Sequence, residues 1–507
     1  LFSLLTLFFY FYAFLFYLYQ KIYTILVSSL FKKIRQNHLP TPLLIFGLVS
    51  VLSIWIGLIS EQYYLLAIPA LLLLIVVSIM DYRKIYFLLL ICIPLSTELV
   101  LPSGFGTDLP TEPLTIGLMG IFIVKWFKNP QVVEIQFFKH PISMMILLHF
   151  GWLLTTTITS GNPFISVKFL LAKAWYIIVF YWMSGSLLRD KKSLKTAFWC
   201  ITIPLLLTLV VVNIRHAAYG FSFESIFRVL NPFYRNHVAY ACIMAVMYPF
   251  IFFAIYWYRK NRRIKWFLIF SLLFLTVSVY LSFTRAAYIA ILLAGVLYFV
   301  IRFRAMKYVL TLSILMTVVG LGFMAYQNNY LDYAPDYDKT ISHTEFDDLI
   351  TATYNLEDIS LMERFYRWVG GFFMVKEQPL VGFGPGNFYN FYKSYTINRF
   401  RTYVSDNPEQ SGIHNYYLMT AVEQGLPGLF FFVLLCFVVL LKAEHAYHRC
   451  VNALRKSWIM ATVLSFTIIL VTLIINDLIE TDKIGSFFFL LLALLVNFDL
   501  DREKETT

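Results

Sequence analysis

Apolar residues along this chain come in runs long enough to cross a bilayer, separated by short hinges rich in Lys and Arg. A span needs about 20 apolar residues, fewer where flanking cations reach out to the headgroups. By that measure, spans are predicted near 2–19, 43–60, 64–80, 85–101, 113–127, 142–159, 169–188, 197–213, 237–257, 266–283, 286–301, 308–325, 414–441, 457–476 and 483–498. Several are short or carry Pro, so the pattern predicts about fourteen crossings in an all-α, polytopic transmembrane helical bundle. One stretch departs from it: residues 326–413 form a long polar loop containing short helices, closing on GFGPGNF (382–388). The chain thus divides into N-terminal helices at 1–265, helices carrying Arg285 at 266–325, the loop at 326–413, and helices beginning at His414 over 414–507.

Composition agrees with a membrane solvent. Over 507 residues the chain is 59% hydrophobic and 19% aromatic, more apolar surface than one water-surrounded core can hide. A net charge of +12 would suggest nucleic acid in a soluble protein. Here the cations sit in hinges, where they set orientation, and nucleic acid is excluded as a partner. Basic hinges fall at 32–35, 83–84, 189–195, 259–265, 302–307 and 442–456, every second connection. That alternation puts these hinges and DREKETT (501–507) in the cytoplasm and the connections at 160–168, 214–236 and 326–413 outside. Of the five cysteines, Cys92, Cys200, Cys242 and Cys436 lie within apolar runs and Cys450 in a basic hinge, none placed for a loop disulfide. The chain starts at Leu1, and its first run lacks a small-residue cleavage site, so it reads as a retained span.

Candidate chemistry lies at the outer ends of spans. His414 opens HNYYLMTAVEQGL, which reads as the first turns of a helix, where the positive dipole end keeps imidazole neutral. Such a ring either bonds the helix end or accepts a proton. Arg285, in SFTRAAY between two spans, needs an anionic partner or a route to water. The planar fork of Arg suits diphosphate oxygens. Arg364 and Arg367, in LMERFYRWVGG, fall on an amphipathic helix expected to lie on the membrane surface. Arg235 and His237, together with Lys168 and Lys173, are further outer-edge candidates. Tyr417 follows His414 on the same helix, and Tyr389, Tyr392, Tyr395 and Tyr403 offer rings for stacking on sugars. The glycines of GFGPGNF lack the GK[ST] of a phosphate loop and mark tight turns. Acidic groups at Asp347 and Asp348, or at Asp477, Glu480 and Asp482, do not enforce a metal site. Neither does the set Glu444, His445, His448 and Cys450.

Taken in order, SFTRAAY, RFYRW, PLVGFGPGNF and HNYYLMTAVEQGLPGLFFF resemble the O-antigen ligase and polymerase family over about residues 270–440. The one departure is Thr284, where the family usually has Ser before the arginine. The resemblance implies a GT-C-like bundle in the bacterial inner (cytoplasmic) membrane, acting at its periplasmic face. It implies an inverting glycosyltransferase without cofactor or metal, using an undecaprenyl-diphosphate-linked glycan as donor. By this resemblance Arg285 matches the arginine at the outer end of the family's span, Arg364 the loop arginine and His414 the essential histidine. Arg367, Arg235, His237, Lys168 and Tyr417 are then substrate-binding candidates.

With a lipid A core as acceptor, the reaction is that of a ligase, the first reading. With a second lipid-linked glycan it is that of a polymerase. A transporter or flippase of lipid-linked glycans would also want outward-facing cations, but the chain shows no internal repeat and no matched pair of broken helices.

Overall fold

The computed structural model describes residues 47, 49–53, 55 and 81–500, apart from 101–105, 336–356, 403 and 408–410. Two compact units divide the chain, Leu1–Asp81 and Tyr82–Thr507. In the first, residues 49–53 are helical; the expected spans at 2–19 and 64–80, and most of 43–60, lie outside the described residues, as does DREKETT in the second.

Among its described residues, the regular structure of the second unit is helical apart from one β-hairpin. It begins with α1 (Tyr82–Leu95), the paired strands β1 (Thr97–Val100) and β2 (Gly106–Leu109), and α2 (Thr111–Lys128). The span expected at 85–101 is therefore shortened. Pro94 removes a donor in the last turn of α1, and the chain then enters an antiparallel ladder that sets Glu98 opposite Asp108. There follow α3 (Pro141–Ile158), α4 (Pro163–Leu187, widened into a π-helical stretch over Ile177–Met183), α5 (Lys191–Ala217), α6 (His237–Trp257) and α7 (Arg262–Tyr280). Next come α8 (Arg285–Arg302), α9 (Met306–Ala325), α10 (Ile359–Glu377), α11 (Tyr416–Arg449), α12 (Ala453–Thr472) and α13 (Asp482–Leu500). Among the described residues, ten helices are long and apolar enough to cross a membrane. All of α3 to α13 qualify except α10, whereas α1 and α2 do not.

Polar hinge residues start these helices where the sequence has them. Asp190, Asn236, Asn261, Asn415 and Asn452 each accept a backbone N–H of the following first turn. The helices α6, α12 and α13 form the centre. Trp257 stacks on Trp458 with ring centroids 3.5 Å apart, and Ser465 donates to the Val246 carbonyl at 2.7 Å. In lipid, close van der Waals fit and such interhelical hydrogen bonds replace the hydrophobic drive as the cause of association.

One helix is broken on purpose. At Gly425 the backbone of α11 takes φ +71° and ψ 179°, a region open only to glycine. The buried carbonyls before the break lose their helical donors and find others. Val422 accepts from Phe383 N–H at 3.0 Å, Glu423 from Gly384 N–H at 2.9 Å, and Gln424 from the Trp152 indole at 2.8 Å. In return Leu426 N–H donates to the Pro379 carbonyl at 2.7 Å. Pro427 begins the second segment, a position where its missing N–H costs nothing. From Pro427 to Arg449 the helix is about 34 Å long, enough to cross a bilayer alone. The expected span at 414–441 is thus two pieces, a short helix from Tyr416 and a crossing that starts near Pro427.

The segment 379–388 is the turn structure expected from GFGPGNF, and its glycines allow the approach. At Gly382, with φ +67°, a Cβ would lie 2.5 Å from the Val422 oxygen. The Glu423 carboxylate accepts from Phe388 N–H at 3.2 Å, and Asn387 donates to Ser160 Oγ at 2.8 Å. Glu423 therefore ties the loop to α11.

The connections sort to two ends. At one, Thr284 Oγ1 meets the His237 carbonyl at 3.3 Å, Gly161 N–H the Phe383 carbonyl at 3.2 Å, and Tyr416 N–H the Leu473 carbonyl at 2.9 Å. At the other, basic, end Met306 N–H donates to Glu444 at 3.0 Å and the Trp199 indole to Tyr258 at 2.7 Å. The hinges at 189–195, 259–265, 302–307 and 442–456 gather at this end as the alternation predicts, while 32–35 lies outside the described residues.

Replacing Gly425 with Ala should destabilise the fold by about 3 kcal/mol or more, because its Cβ would meet the Leu380 oxygen at 2.1 Å in a glycine-only conformation. Thermal unfolding of purified protein in detergent measures this; an unchanged midpoint would contradict the role assigned to the break.

Candidate active site

At the loop-bearing end, a cavity of about 320 Å³ opens between α6, α8 and α10. Three helix starts converge on it. His237 and Val238 begin α6, Arg285 and Ala286 begin α8, and Asp358, the cap of α10, leads into Ile359 and Ser360. Each start presents the positive end of a helix dipole, which favours a bound anion, although Asn236 and Asp358 each take one first-turn N–H of α6 and α10. Phe223, Phe227 and Phe283 supply an apolar wall, and Ile475 and Asn476 contribute from the connection before α13.

Both signs of charge line the cavity: Arg285 and Arg364 add to the helix starts, and the acids Glu224 and Asp358 stand against them. Arg285 donates to Asp358 at 3.0 Å; its side chain keeps 29% exposure against 2% for the carboxylate. Asp358 also caps α10 by accepting Ser360 N–H at 3.3 Å, so it anchors the arginine to the loop helix. Three buried polar atoms on lining residues, His237 Nδ1, Arg364 Nε and Asn476 Nδ2, have no hydrogen-bond partner among the described residues. Buried polar atoms are rarely left so, and these three are available to a ligand.

His414 stands beside this cavity, within the electrostatic reach of Arg364. It immediately precedes Asn415, the residue that caps α11 by accepting Leu418 N–H at 3.0 Å, and its backbone is left-handed at φ +56°. Its position is held from α10. Arg367 donates to the Gly412 carbonyl at 3.2 Å and Trp368 to the Ile413 carbonyl at 3.0 Å. Burial, with the positive charges of Arg364 and Arg367, pushes the His414 pKa down to about 3. The ring is therefore neutral at physiological pH, and Nδ1 lies 3.9 Å from Asp477 Oδ1. Burial and the nearby Glu480 charge raise the Asp477 pKa above the usual carboxylate range.

Of the residues singled out in the sequence, Arg285, Arg364 and His237 are brought together around the cavity, with His414 alongside. Others are placed elsewhere. Arg367 is buried in the scaffold, also pairing with Glu363 at 3.6 Å, so the helix expected on the membrane surface instead turns its basic side inward. Met362, Tyr366 and Val369, on the other side of the helix, are buried as well. Arg235 is largely exposed, 3.7 Å from Glu98 of the hairpin, and does not line the cavity. Lys168 is exposed on α4, while Lys173 is buried against Glu480 at 2.7 Å. Tyr417 gives its hydroxyl to the Leu470 carbonyl at 3.1 Å and its ring to Phe432, a structural use. Tyr392 stacks on Phe388 inside the loop, Tyr395 packs edge-on to Phe383, and Tyr403 lies outside the described residues.

Sequence reasoning missed Asp358, Asn476 and the pairing of Asp477 with His414. An Asp directly before ISLMERF is a helix-start signal that would have found Asp358. Asp477 was considered only with Glu480 and Asp482, which bind separate partners, Lys173 for one and Ser96 and Thr111 for the other. Among the described residues, no group of three or more His, Cys, Asp or Glu is gathered to hold a metal; Asp347 and Asp348 lie outside them.

A multi-pass helical membrane protein with an anion-suited cavity at one end of its bundle is the class these features define. Residues 269–433 match the family model described as O-antigen ligase, which supports the O-antigen ligase and polymerase family for this chain. The matched segment runs from α7 through the loop to the start of the crossing part of α11, and contains Arg285, Arg364 and His414. At the level of the family this supports an enzyme of O-antigen ligase-type glycosyl transfer, acting in polysaccharide biosynthesis. A search of curated proteins finds no match to the chain.

The depressed pKa carries a sign. An unfolded imidazole binds its proton near pH 6.5, the folded one only near 3, so between these values the unfolded state holds more protons and stability falls as pH falls. Histidine-labelled NMR of the detergent-solubilised protein should show His414 still neutral at pH 5, and Arg364→Gln should move its titration upward. A His414 signal titrating near pH 6.5 in the wild type would contradict the electrostatic arrangement.

Proposed function

We propose that this protein transfers a glycan from an undecaprenyl-diphosphate carrier to an acceptor hydroxyl at the periplasmic face of the bacterial inner membrane. The observation that carries the reading is the convergence of Arg285, Arg364 and three helix starts on one cavity, with a neutral His414 beside it. Displacing a lipid diphosphate from an anomeric carbon builds negative charge on the leaving oxygens. Two guanidiniums and the converging N–H groups of α6, α8 and α10 are suited to hold that charge without a metal. His237 Nδ1 and Asn476 Nδ2 are free to bind phosphate or sugar oxygens.

The acceptor hydroxyl must lose a proton as it attacks. A neutral imidazole can take it, and His414 is the neutral imidazole at this site. Asp477, 3.9 Å from Nδ1, faces the imidazolium that forms. Attack from the side opposite the diphosphate inverts the anomeric centre in one displacement. Placement of the cavity at one end of the bundle, rather than midway along the spans, favours transfer at the surface over carriage across the membrane. The ligase reading, with a lipid A core as acceptor, stands first; joining of repeat units would use the same residues on a lipid-linked acceptor.

Purified protein, a synthetic undecaprenyl-diphosphate glycan and the two acceptors test this directly. Product on the lipid A core supports the ligase and a ladder of lengthening glycans the polymerase; no product with either would overturn the reading. Arg285→Gln and His414→Gln should each lower the rate by about 10²-fold or more while the protein still inserts and folds. EDTA should leave the rate unchanged, and strict dependence on added Mg²⁺ or Mn²⁺ would contradict the assignment of the charge to arginine.

A further inference from the structure

A second large cavity lies at the opposite, basic end of the bundle. Its volume is about 590 Å³, and it is bounded by the last turns of α6, α8 and α11 and the first turns of α7 and α12. Arg285 and Tyr298 on α8 are about 20 Å apart along the helix, and His237 and Tyr256 on α6 about 29 Å, so the two cavities are separated by most of a bilayer. Among the described residues, the proposed glycosyl-transfer site and this one share no lining residue.

The lining divides by chemistry. Phe252, Phe253, Ile255 and Met460 form an apolar groove toward the middle of the spans. Arg259, Lys265 and Lys456 stand at its mouth, and among the described residues no Asp or Glu lines it. Tyrosines lie between the two zones: the Arg259 guanidinium sits 4.6 Å from the Tyr256 ring centre and the Lys456 ammonium 5.5 Å from that of Tyr447. Tyr and Trp at this depth mark the boundary between hydrocarbon and headgroups. Below it, Trp257 donates to Ser457 at 2.7 Å and stacks on Trp458, which makes a rigid floor.

A ligand that fits must be anionic at one end and aliphatic for the length of the groove. We propose that this cavity binds an anionic phospholipid of the surrounding leaflet, its phosphate between Arg259, Lys265 and Lys456 and an acyl chain along Phe252, Phe253 and Met460. The charge argument decides the class: three cations, with no carboxylate among the described lining residues, attract an anionic headgroup and gain little from a zwitterionic one. Five helix ends meet here, so a lipid in this place ties together the halves of the bundle on either side of α6 and α12.

Native mass spectrometry of the full chain in detergent, with equal amounts of phosphatidylglycerol and phosphatidylcholine added, tests the proposal. Phosphatidylglycerol adducts should exceed phosphatidylcholine adducts by about fivefold or more, and the triple variant R259Q/K265Q/K456Q should bring the two level. Each single variant should reduce the preference in part, and K307Q, at the same end but outside the cavity, should keep it. Thermal unfolding of each variant identifies any that fail to fold. Equal binding of the two lipids by wild type would overturn the proposal, as would a preference that survives the triple variant. Displacement of the bound lipid by an equal concentration of inorganic phosphate would also overturn it, since the site would then be one for a free anion.

Discussion

A helix that stops inside a protein leaves carbonyls with no donor, and here their satisfaction governs where everything at the active end sits. The break at Gly425 orphans the oxygens of Val422, Glu423 and Gln424, each of which is buried. Unpaired groups of this kind cost several kcal/mol where water is absent. The loop at 379–388 and Trp152 of α3 answer them, so loop, third helix and broken helix are locked into one geometry. From that lock the polypeptide runs in both directions to the cavity: backward along α10 to Arg364 and Asp358, forward from His414 into α11. The glycines of GFGPGNF are what allow two backbones to come this close, and they serve the site without touching a ligand.

The electrostatics follow the same economy. Three helix starts meet where two arginines already stand, and one buried carboxylate, Asp358, both caps α10 and holds Arg285. That acid helps to orient the guanidinium, and Arg285 lines the cavity from the start of α8. Burial above all, and with it the positive field that suits a diphosphate, keeps His414 uncharged.

Much of this was legible in the sequence, and the failures have physical reasons. Apolar runs located the spans between 142 and 498 because a bilayer demands length, and Asn or Asp at the hinges marked where several helices begin. The run at 85–101 misled, since hydropathy does not distinguish a helix from a hairpin once Pro94 has ended the turn. Arg285, Arg364 and His414 stood out as polar groups at span ends or in ordered motifs. Asp358 did not, because its partner lies 73 residues away in sequence and only the fold brings the two together. Arg364 and Arg367 are one turn apart on α10; which of them faces the cavity depends on Met362 and Tyr366 filling the opposite side, a matter of tertiary packing.

The left-handed backbone at His414 makes that position answer to two separate demands. Histidine, like Asn and Asp, tolerates φ near +56° better than most residues, and β-branched or bulky side chains tolerate it badly. A series of substitutions there records conformational cost and lost proton transfer together. Asn keeps the backbone preference and removes the base, so its behaviour isolates the chemistry; Val removes both. The spread between such variants would measure how much of this residue's identity is set by the turn it must make rather than by the proton it takes.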